Sequence, residues 1–348
     1  MATFIMAGGG TGGQVIPALA VARELRSRGH SVRFIGTPRG MEARLVPAEN
    51  FPIDWIEIGG LKRVGLRQTL STLAGIPGSV LRAAGLLEQA APKAVFSTGG
   101  YVAGPVLLAA FLKRVPILVM EPNAVPGFTH RLIGRFVTRA LLTFPGTARW
   151  FPAGRSEVTG MPVRAEFFAV PSKPPDKRLT VLITGGSQGS RTLNRAAAES
   201  WGAFPVIHQT GAAAFEELAP KFKASGAEGE IRAFIDDMPG AFARADLVVS
   251  RAGMSTVSEL AAAGRPSILV PLPTASDQHQ LRNAEAFEKA GAARLVPDAD
   301  MNGARLLEEV TRLAAEPKRL EAMGQAARAF AKPAAARRAA EILESIVP

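Results

Sequence analysis

Short apolar runs alternate with stretches of helical periodicity along nearly the whole chain. Thr3–Met6 reads as a buried strand followed by glycines, and Val15–Arg28 as a helix that stops at Gly29. Val32–Ile35, Ile53–Ile58, Ala94–Ser97 and Ile117–Met120 are further buried-strand candidates, with helical stretches between most of them. The series restarts at Leu179–Ile183, again followed by glycines and a helix over Arg191–Ser200. Val206–His208, Ile231–Phe234, Leu247–Ser250 and Ser267–Val270 continue it. Such alternation, twice over, predicts an α/β protein of two doubly wound parallel-sheet domains. Between the two series, Pro162 to Lys177 holds Pro162, Pro171, Pro174 and Pro175 and reads as a connecting segment. From Gly303 onward the pattern is helical, broken at Pro317 and Pro333.

A length of 348 residues suits two domains, each able to bury a core. The absence of cysteine excludes disulfides, thiolate metal sites and a cysteine nucleophile. Histidines at 30, 130, 208 and 279 make no zinc spacing. The N-terminus lacks the charged start and cleavage-type tail of a secretory leader, and Val102–Leu112, cut by Lys113-Arg114, is too short to span a bilayer. A soluble, cytoplasmic chain is expected.

Charge changes the picture. Residues 1–164 carry 19 Lys/Arg against 8 Asp/Glu, whereas residues 165–348 carry 22 of each, so the whole excess of +11 lies in the first half. A one-sided basic field attracts a polyanion or an anionic membrane. Nucleic acid is disfavoured: there is one tyrosine, little aromatic interleaving and no nucleic-acid-binding motif. The membrane reading has a local feature in Leu61 to Gln89. There Leu66, Leu70, Leu73, Ile76 and Val80 recur at helical steps beside Lys62, Arg63, Arg67 and Arg82, interrupted at Pro77-Gly78. Phe111-Leu112-Lys113-Arg114 repeats the combination. An amphipathic helix packed on its own domain explains the first stretch equally well.

Ligands of open α/β sheets bind outside the carboxyl ends of the strands, so the loops there carry the chemistry. Gly8, Gly10 and Gly13 satisfy GxGxxG, but Phe34-Ile35-Gly36-Thr37 lacks the acid that a dinucleotide ribose needs. What survives is a glycine-lined loop at a helix N-terminus, ending in Gln14. Thr184 to Ser190, TGGSQGS, repeats the arrangement, and its amides, helix dipole and Ser187 and Ser190 hydroxyls suit a diphosphate. Glu259, in the first turns of a helix after Ser250–Gly253, can accept two hydrogen bonds from a ribose diol or simply complement the helix dipole. Asp277-Gln278-His279-Gln280 suits sugar hydroxyls, or is a solvated helix start with Asp277 near the cap. In the first half, Thr98-Gly99-Gly100-Tyr101 and Glu121-Pro122-Asn123 both follow strands. Glu121, the only acid between Glu88 and Glu157, is either a general-base candidate or a structural partner for an arginine.

Together these segments resemble the bacterial peptidoglycan N-acetylglucosaminyltransferases. The resemblance runs through residues 8–22, 97–105, 121–135, 158–164, 185–190, 208–211, 234–238, 251–264 and 277–284. It implies the GT-B arrangement, two Rossmann-like domains facing a cleft, with an acceptor- and membrane-facing domain over 1–163. A UDP-sugar domain over 164–330 would follow, and a helix at about 331–348 would return onto the first. The implied reaction is inverting transfer of GlcNAc from UDP-GlcNAc to the 4-hydroxyl of the MurNAc of lipid I, giving lipid II. Position by position, Ser187, Gln188 and Gly189 would hold the diphosphate, Ile235 the uracil through its backbone, and Arg164 the nucleotide. Met254 and Ser255 would offer backbone groups, Glu259 would bind the ribose, and His279 and Gln280 the sugar. Gly10, Thr11, Gly12, Gly13, Tyr101 and Asn123 would line the acceptor side, and segment 61–114 would meet the anionic inner face of the cytoplasmic membrane.

The family pattern has His where this chain has Gln14, HEQN where it has Met120-Glu121-Pro122-Asn123, and NPVR where it has Met161-Pro162-Val163-Arg164. A glutamine takes no proton, so either Glu121 carries the proton, or Gln14 only positions the acceptor and another group serves. Asp236-Asp237 follows no strand in a metal-binding manner, and neither a cofactor nor a protein-held metal is expected. Two alternatives stay open: a GT-B enzyme with another lipid acceptor, such as diacylglycerol, and a UDP-sugar-binding homologue impaired in catalysis.

Overall fold

The computed structural model describes residues 1–57, 66–173 and 178–347, and over 66–74 the backbone only. The chain divides into two compact units, Met1–Pro162 with Ala334–Pro348, and Val163–Pro333.

In the first unit the strands are β1 (Thr3–Gly8), β2 (Ser31–Gly36), β3 (Ile53–Trp55), β4 (Ala94–Gly99), β5 (Ile117–Glu121), β6 (Arg139–Leu142) and β7 (Ser156–Val158). They form one sheet in the order β3-β2-β1-β4-β5-β6-β7, every pair parallel. The second unit repeats the plan with β8 (Val181–Thr184), β9 (Val206–Gln209), β10 (Gly229–Arg232), β11 (Leu247–Ser250), β12 (Ser267–Leu269) and β13 (Ala293–Leu295). Their order is β10-β9-β8-β11-β12-β13, again all parallel. Strand order reverses beside β1 and beside β8, so each unit has its switch point where a glycine loop leaves the sheet.

Parallel strands covered on both faces are continuous apolar runs, and Phe4 to Ala7, Val95, Phe96, Leu182 and Ile183 are wholly buried. The Ala103–Leu112 helix buries Val106, Leu107, Ala109 and Ala110 against the first sheet. The Ala335–Ser345 helix belongs to the first unit. There Glu344 meets Arg28 at 3.0 Å and His30 at 2.8 Å, and Arg338 grips Glu157 at 2.7 and 3.0 Å.

Three strands escape the hydrophobic pattern. β6 opens on Arg139, β7 is the edge tripeptide Ser-Glu-Val, and β13 spans three residues, all too short for periodicity to register. The Ile231–Phe234 expectation shifts to Gly229–Arg232: Phe234 is exposed, and β10 starts where Gly229, at φ +120°, lies too close to Val206 for any side chain. Pro77-Gly78 does not interrupt the helix, which runs from Leu66 to Ala90.

Candidate active site

At the carboxyl end of the first sheet, β1 runs into the loop from Gly9 to Thr11, and the Gly12–Ser27 helix starts there without a side-chain cap. Its amides are partly claimed by the chain itself. The buried Glu42 carboxylate accepts hydrogen bonds from the Gly10 amide (2.7 Å), the Thr37 amide (3.0 Å) and the Thr37 hydroxyl (2.8 Å). It lies in a cradle that only glycine permits: a Cβ on Gly9 or Gly40 would fall 2.5 or 2.0 Å from its oxygens. An internal carboxylate therefore takes the Gly10 amide that a bound phosphate would use. Glu42 lies beyond the strand-end positions that sequence reasoning inspects.

Gln14 is equally engaged. Its amide donates to the Gly9 carbonyl (2.6 Å) and accepts from the Gly100 amide (3.1 Å), stitching the loop after β1 to the loop after β4. The two loops touch so closely that a Cβ on Gly100, at φ +94°, would lie 2.2 Å from the Gly9 carbonyl oxygen. Thr98 adds a bond from its hydroxyl to the Gln14 carbonyl (2.8 Å). Thr11 and Tyr101 are exposed beside this seam, and Gly10, Gly12, Gly13 and Asn123 are half-buried.

Glu121, the last residue of β5, is buried. One oxygen accepts from the Asn123 amide and side chain (both 3.0 Å), and the other from the Gly127 amide (3.1 Å). That second oxygen also pairs with His130 Nδ1 at 2.8 Å. Its structural partner is thus a histidine, in place of the arginine considered from sequence, and no side of the carboxylate is open to solvent. His130, which sequence reasoning passes over, is 2% exposed, and its Nε2 has no hydrogen-bond partner among the described residues.

In the second unit, the loop after β8 exposes Ser187 and Gln188. Gly189, at φ +73°, packs so tightly on the end of β9 that a Cβ would lie 1.8 Å from the Thr210 carbonyl oxygen. Ser190 is buried and caps the Arg191–Ser200 helix, accepting from the Leu193 amide (3.3 Å), so its hydroxyl serves the fold. The same junction is fixed by Asn194, which donates to the Thr210 carbonyl (2.9 Å) and meets His208 at 3.0 Å. Burial pushes the His208 imidazole down to about 4, leaving it a neutral core group.

Gln209 donates to the Thr184 hydroxyl and the Gly186 carbonyl (both 3.0 Å) and accepts from the Ile235 amide (2.8 Å). The Ile235 N–H is therefore spent inside the protein, and a ligand contact through this backbone falls to its carbonyl. Asp237 caps the Met238–Arg244 helix through the Gly240 amide (2.9 Å), a local reason for this acid pair.

After β11, the Met254–Ala263 helix begins at Met254 and Ser255 with Gly253 as an N-cap that brings no side chain to the first amides. Those amides and the positive end of the helix dipole are left without a side-chain cap. Glu259 is half-buried one turn further on, and burial pushes its carboxyl from 4.5 up to about 7, opposed by the positive charge of Arg164. The exposed Arg164 guanidinium stands 5.0 Å over the Phe167 ring. Gln280 borders the helix start: a Cβ on Gly253 would lie 3.9 Å from its amide nitrogen, while its oxygen accepts from the Leu272 amide (3.0 Å). His279 donates through Nδ1 to the Ser276 carbonyl (2.6 Å), which directs Nε2 elsewhere as an acceptor. The helix cap here is Gln278, left-handed like Asp277 and without a side-chain cap bond.

The expected membrane segment divides. Leu61, Lys62 and Arg63 lie outside the described residues, as do the side chains of Leu66, Arg67, Leu70 and Leu73. Further along that helix Ile76 and Val80 pack into the domain core, with Ala83, Leu86 and Leu87. Among the described residues, exposed apolar side chains gather instead at Leu108, Phe111, Leu112, Leu132 and Phe136, with the rings of Phe111 and Phe136 4.6 Å apart. No helix among the described residues is long and apolar enough to cross a membrane.

Residues 4–142 match the glycosyltransferase family 28 N-terminal domain, and residues 180–339 match the family 28 C-terminal domain. The chain belongs to glycosyltransferase family 28. A family member from Solibacter usitatus, named UDP-N-acetylglucosamine–N-acetylmuramyl-(pentapeptide) pyrophosphoryl-undecaprenol N-acetylglucosamine transferase, is 59% identical over 99% of this chain and 96% of its own. A protein of the same name from Azotobacter vinelandii is 41% identical over 98% of both chains. Among solved structures, Acinetobacter baumannii MurG superposes with a TM-score of 0.84 at 35% identity, covering 99% of this chain and 100% of that one. The two Rossmann-like units are thus the GT-B architecture of family 28.

Proposed function

We propose that this family 28 protein transfers N-acetylglucosamine from UDP-GlcNAc to the MurNAc 4-hydroxyl of lipid I, forming lipid II with inversion at the anomeric carbon. The observation that carries the reading is the 59% identity, across essentially the full length, to a relative named for that transfer. The second unit supports it as the donor side. Its open helix start at Met254 and Ser255, with Ser187, Gln188 and Gly189, would hold the diphosphate. Glu259, ionised, would accept from the ribose hydroxyls with Arg164 beside it. The Ile235 carbonyl would meet uracil, and His279 and Gln280 the GlcNAc hydroxyls.

The acceptor hydroxyl attacks the anomeric carbon as the bond to the diphosphate breaks. The developing negative charge on UDP falls on helix amides that are already oriented. On the first unit, Gly10, Thr11, Gly12, Gly13, Tyr101 and Asn123 would line the acceptor side. Gln14 and Glu121 would act by holding those loops, as their hydrogen bonds already do.

Because the acceptor is lipid-linked, the protein would work peripherally at the cytoplasmic face of the membrane. The exposed Leu108, Phe111, Leu112 and Phe136, with exposed Arg114 and Arg135 nearby in sequence, support a contact in which apolar side chains enter the headgroup layer. Each basic residue at an anionic surface contributes about 1 kcal/mol.

Acceptor competition tests the reading. Offered UDP-GlcNAc with equal lipid I analogue and diacylglycerol in one mixture, the protein should glycosylate the lipid I analogue. Product on diacylglycerol alone would overturn the proposed acceptor.

A further inference from the structure

The loop after β1 has the outline of a phosphate cradle, yet an acid lies beneath it. Glu42 opens the Glu42–Ala48 helix, and it is 1% exposed. One carboxylate oxygen accepts from the Gly10 amide at 2.7 Å, a short bond of the kind an ionised acceptor makes. The other accepts from the Thr37 amide and hydroxyl. Among the described residues these donors are all neutral, so none of them cancels the charge. The position is built into the backbone: a Cβ on Gly9, Gly36 or Gly40 would fall 2.5, 2.8 or 2.0 Å from the Glu42 side chain. Three glycines around two strand ends thus make room for one acid. The loop after β8 is different, for the nearest neighbours of Gly185 and Gly189 are backbone atoms and Ser190, with no carboxylate among them.

That charge decides what the loop after β1 can take. A helix start offers an anion about half a positive charge. The Glu42 carboxylate sets a whole negative charge against it and already uses the Gly10 N–H. Further in, the Gln14 and Val15 amides return to the Thr11 carbonyl at 3.0 and 3.1 Å. The rim beside Gly12 is apolar, with the exposed side chains of Met41 and Ile16 3.5 and 3.6 Å from a Cβ built there. We propose that Glu42 is a specificity-determining residue of the acceptor side. It holds the loop after β1 and turns anions away from it. An uncharged part of the acceptor, its sugar hydroxyls and acyl groups, therefore meets this loop, and the acceptor diphosphate lies off it. The inference rests on the transferase reading above.

The test compares the parent with Glu42→Gln, whose single amide oxygen can serve Thr37 while its nitrogen cannot accept from the Gly10 N–H. Protein labelled with nitrogen-15 glycine is titrated with inorganic diphosphate, and the Gly10 amide signal is followed. In the parent that signal should stay in place. In Glu42→Gln, with the charge gone and the amide released, it should move, and diphosphate should bind there about tenfold or more tightly than to the parent loop. Transfer kinetics read the acceptor itself. A diphosphate seated on this loop would bind better once the charge is removed, so KM for a lipid I analogue would fall. A neutral group on a loop that Glu42 holds predicts the reverse: KM rises several-fold in Glu42→Gln while UDP-GlcNAc binding stays at the parent's value. A parent Gly10 signal that follows diphosphate, a variant signal that does not, or a KM that falls or stays would overturn the proposal. Thermal unfolding checks that the variant is folded, and if it is not, the parent titration alone decides. Absence of transfer by the parent overturns the transferase reading and the acceptor assignment with it, while the Gly10 signal still decides whether Glu42 excludes anions.

Discussion

Glu259→Gln isolates a carboxylate whose charge state and proposed ligand contact are linked. Burial raises this carboxyl from 4.5 to about 7 despite the nearby Arg164 charge. A ribose diol donates to an ionised carboxylate, so only the ionised fraction is competent, and the apparent Kd scales inversely with that fraction. With a midpoint near pH 7, roughly one tenth is competent at pH 6 and about nine tenths at pH 8. UDP-GlcNAc should therefore bind about tenfold more weakly at pH 6 than at pH 8, or ~1.4 kcal/mol. UDP-GlcNAc suits the assay because its diphosphate is esterified at both ends and does not itself titrate there. Calorimetry in two buffers of different ionisation enthalpy should also show proton release on binding below the midpoint.

Stability runs the opposite way. The folded state holds the Glu259 proton up to about 7 while the unfolded chain loses it near 4.5. Stability therefore declines as pH rises through that window, by up to ~3 kcal/mol, and stays lowered above it. Glu259→Gln should bind UDP-GlcNAc more weakly at pH 8, by ~1.5–3 kcal/mol for a lost hydrogen bond to a charged group, and with a flat pH dependence. It should also melt above the parent at pH 8, with the difference closing near pH 4. A parent affinity unchanged between pH 6 and 8, or a variant that keeps the parent slope, would refute the reasoning.

Other outcomes follow from the same geometry. Gly189→Ala drives a Cβ into the Thr210 carbonyl at a positive φ, so thermal unfolding should show a loss above the ~1–3 kcal/mol of the backbone conformation alone, together with loss of UDP-GlcNAc binding. Glu42→Ala leaves the Gly10 and Thr37 donors without their carboxylate, and denaturant titration should register about 1–3 kcal/mol per donor that stays buried. Phe111→Ser with Leu112→Ser should reduce co-sedimentation with anionic vesicles while leaving UDP-GlcNAc binding intact; unchanged sedimentation would remove this surface from the membrane contact.

The doubly wound plan is legible in the chain because parallel strands buried on both faces are written as unbroken apolar runs, as in Thr3–Gly8 and Leu247–Ser250. The glycine loops are legible for a related reason: Gly100 and Gly189 hold positive φ against a neighbouring carbonyl, a position closed to other residues. What stays hidden is where polar side chains spend their hydrogen bonds. Ser190 looks like a phosphate ligand in sequence and proves to be a helix cap. The Ile235 amide looks available and is taken by Gln209, 26 residues earlier. Glu42 and His130 escape notice because each acts on a residue outside its own element, Gly10 and Glu121, at separations of 32 and 9 residues. No local pattern marks such a pairing. A short edge strand such as Ser156–Val158 carries too few apolar positions to mark itself.

As proposed, this chain builds a glycosidic bond on lipid I. The most direct measurement is mass and NMR analysis of the product that the purified protein makes from UDP-GlcNAc and a lipid I analogue in anionic vesicles. One GlcNAc added to the MurNAc 4-hydroxyl in the β configuration is the predicted result. An unmodified acceptor, with UDP-GlcNAc bound but intact, would contradict it.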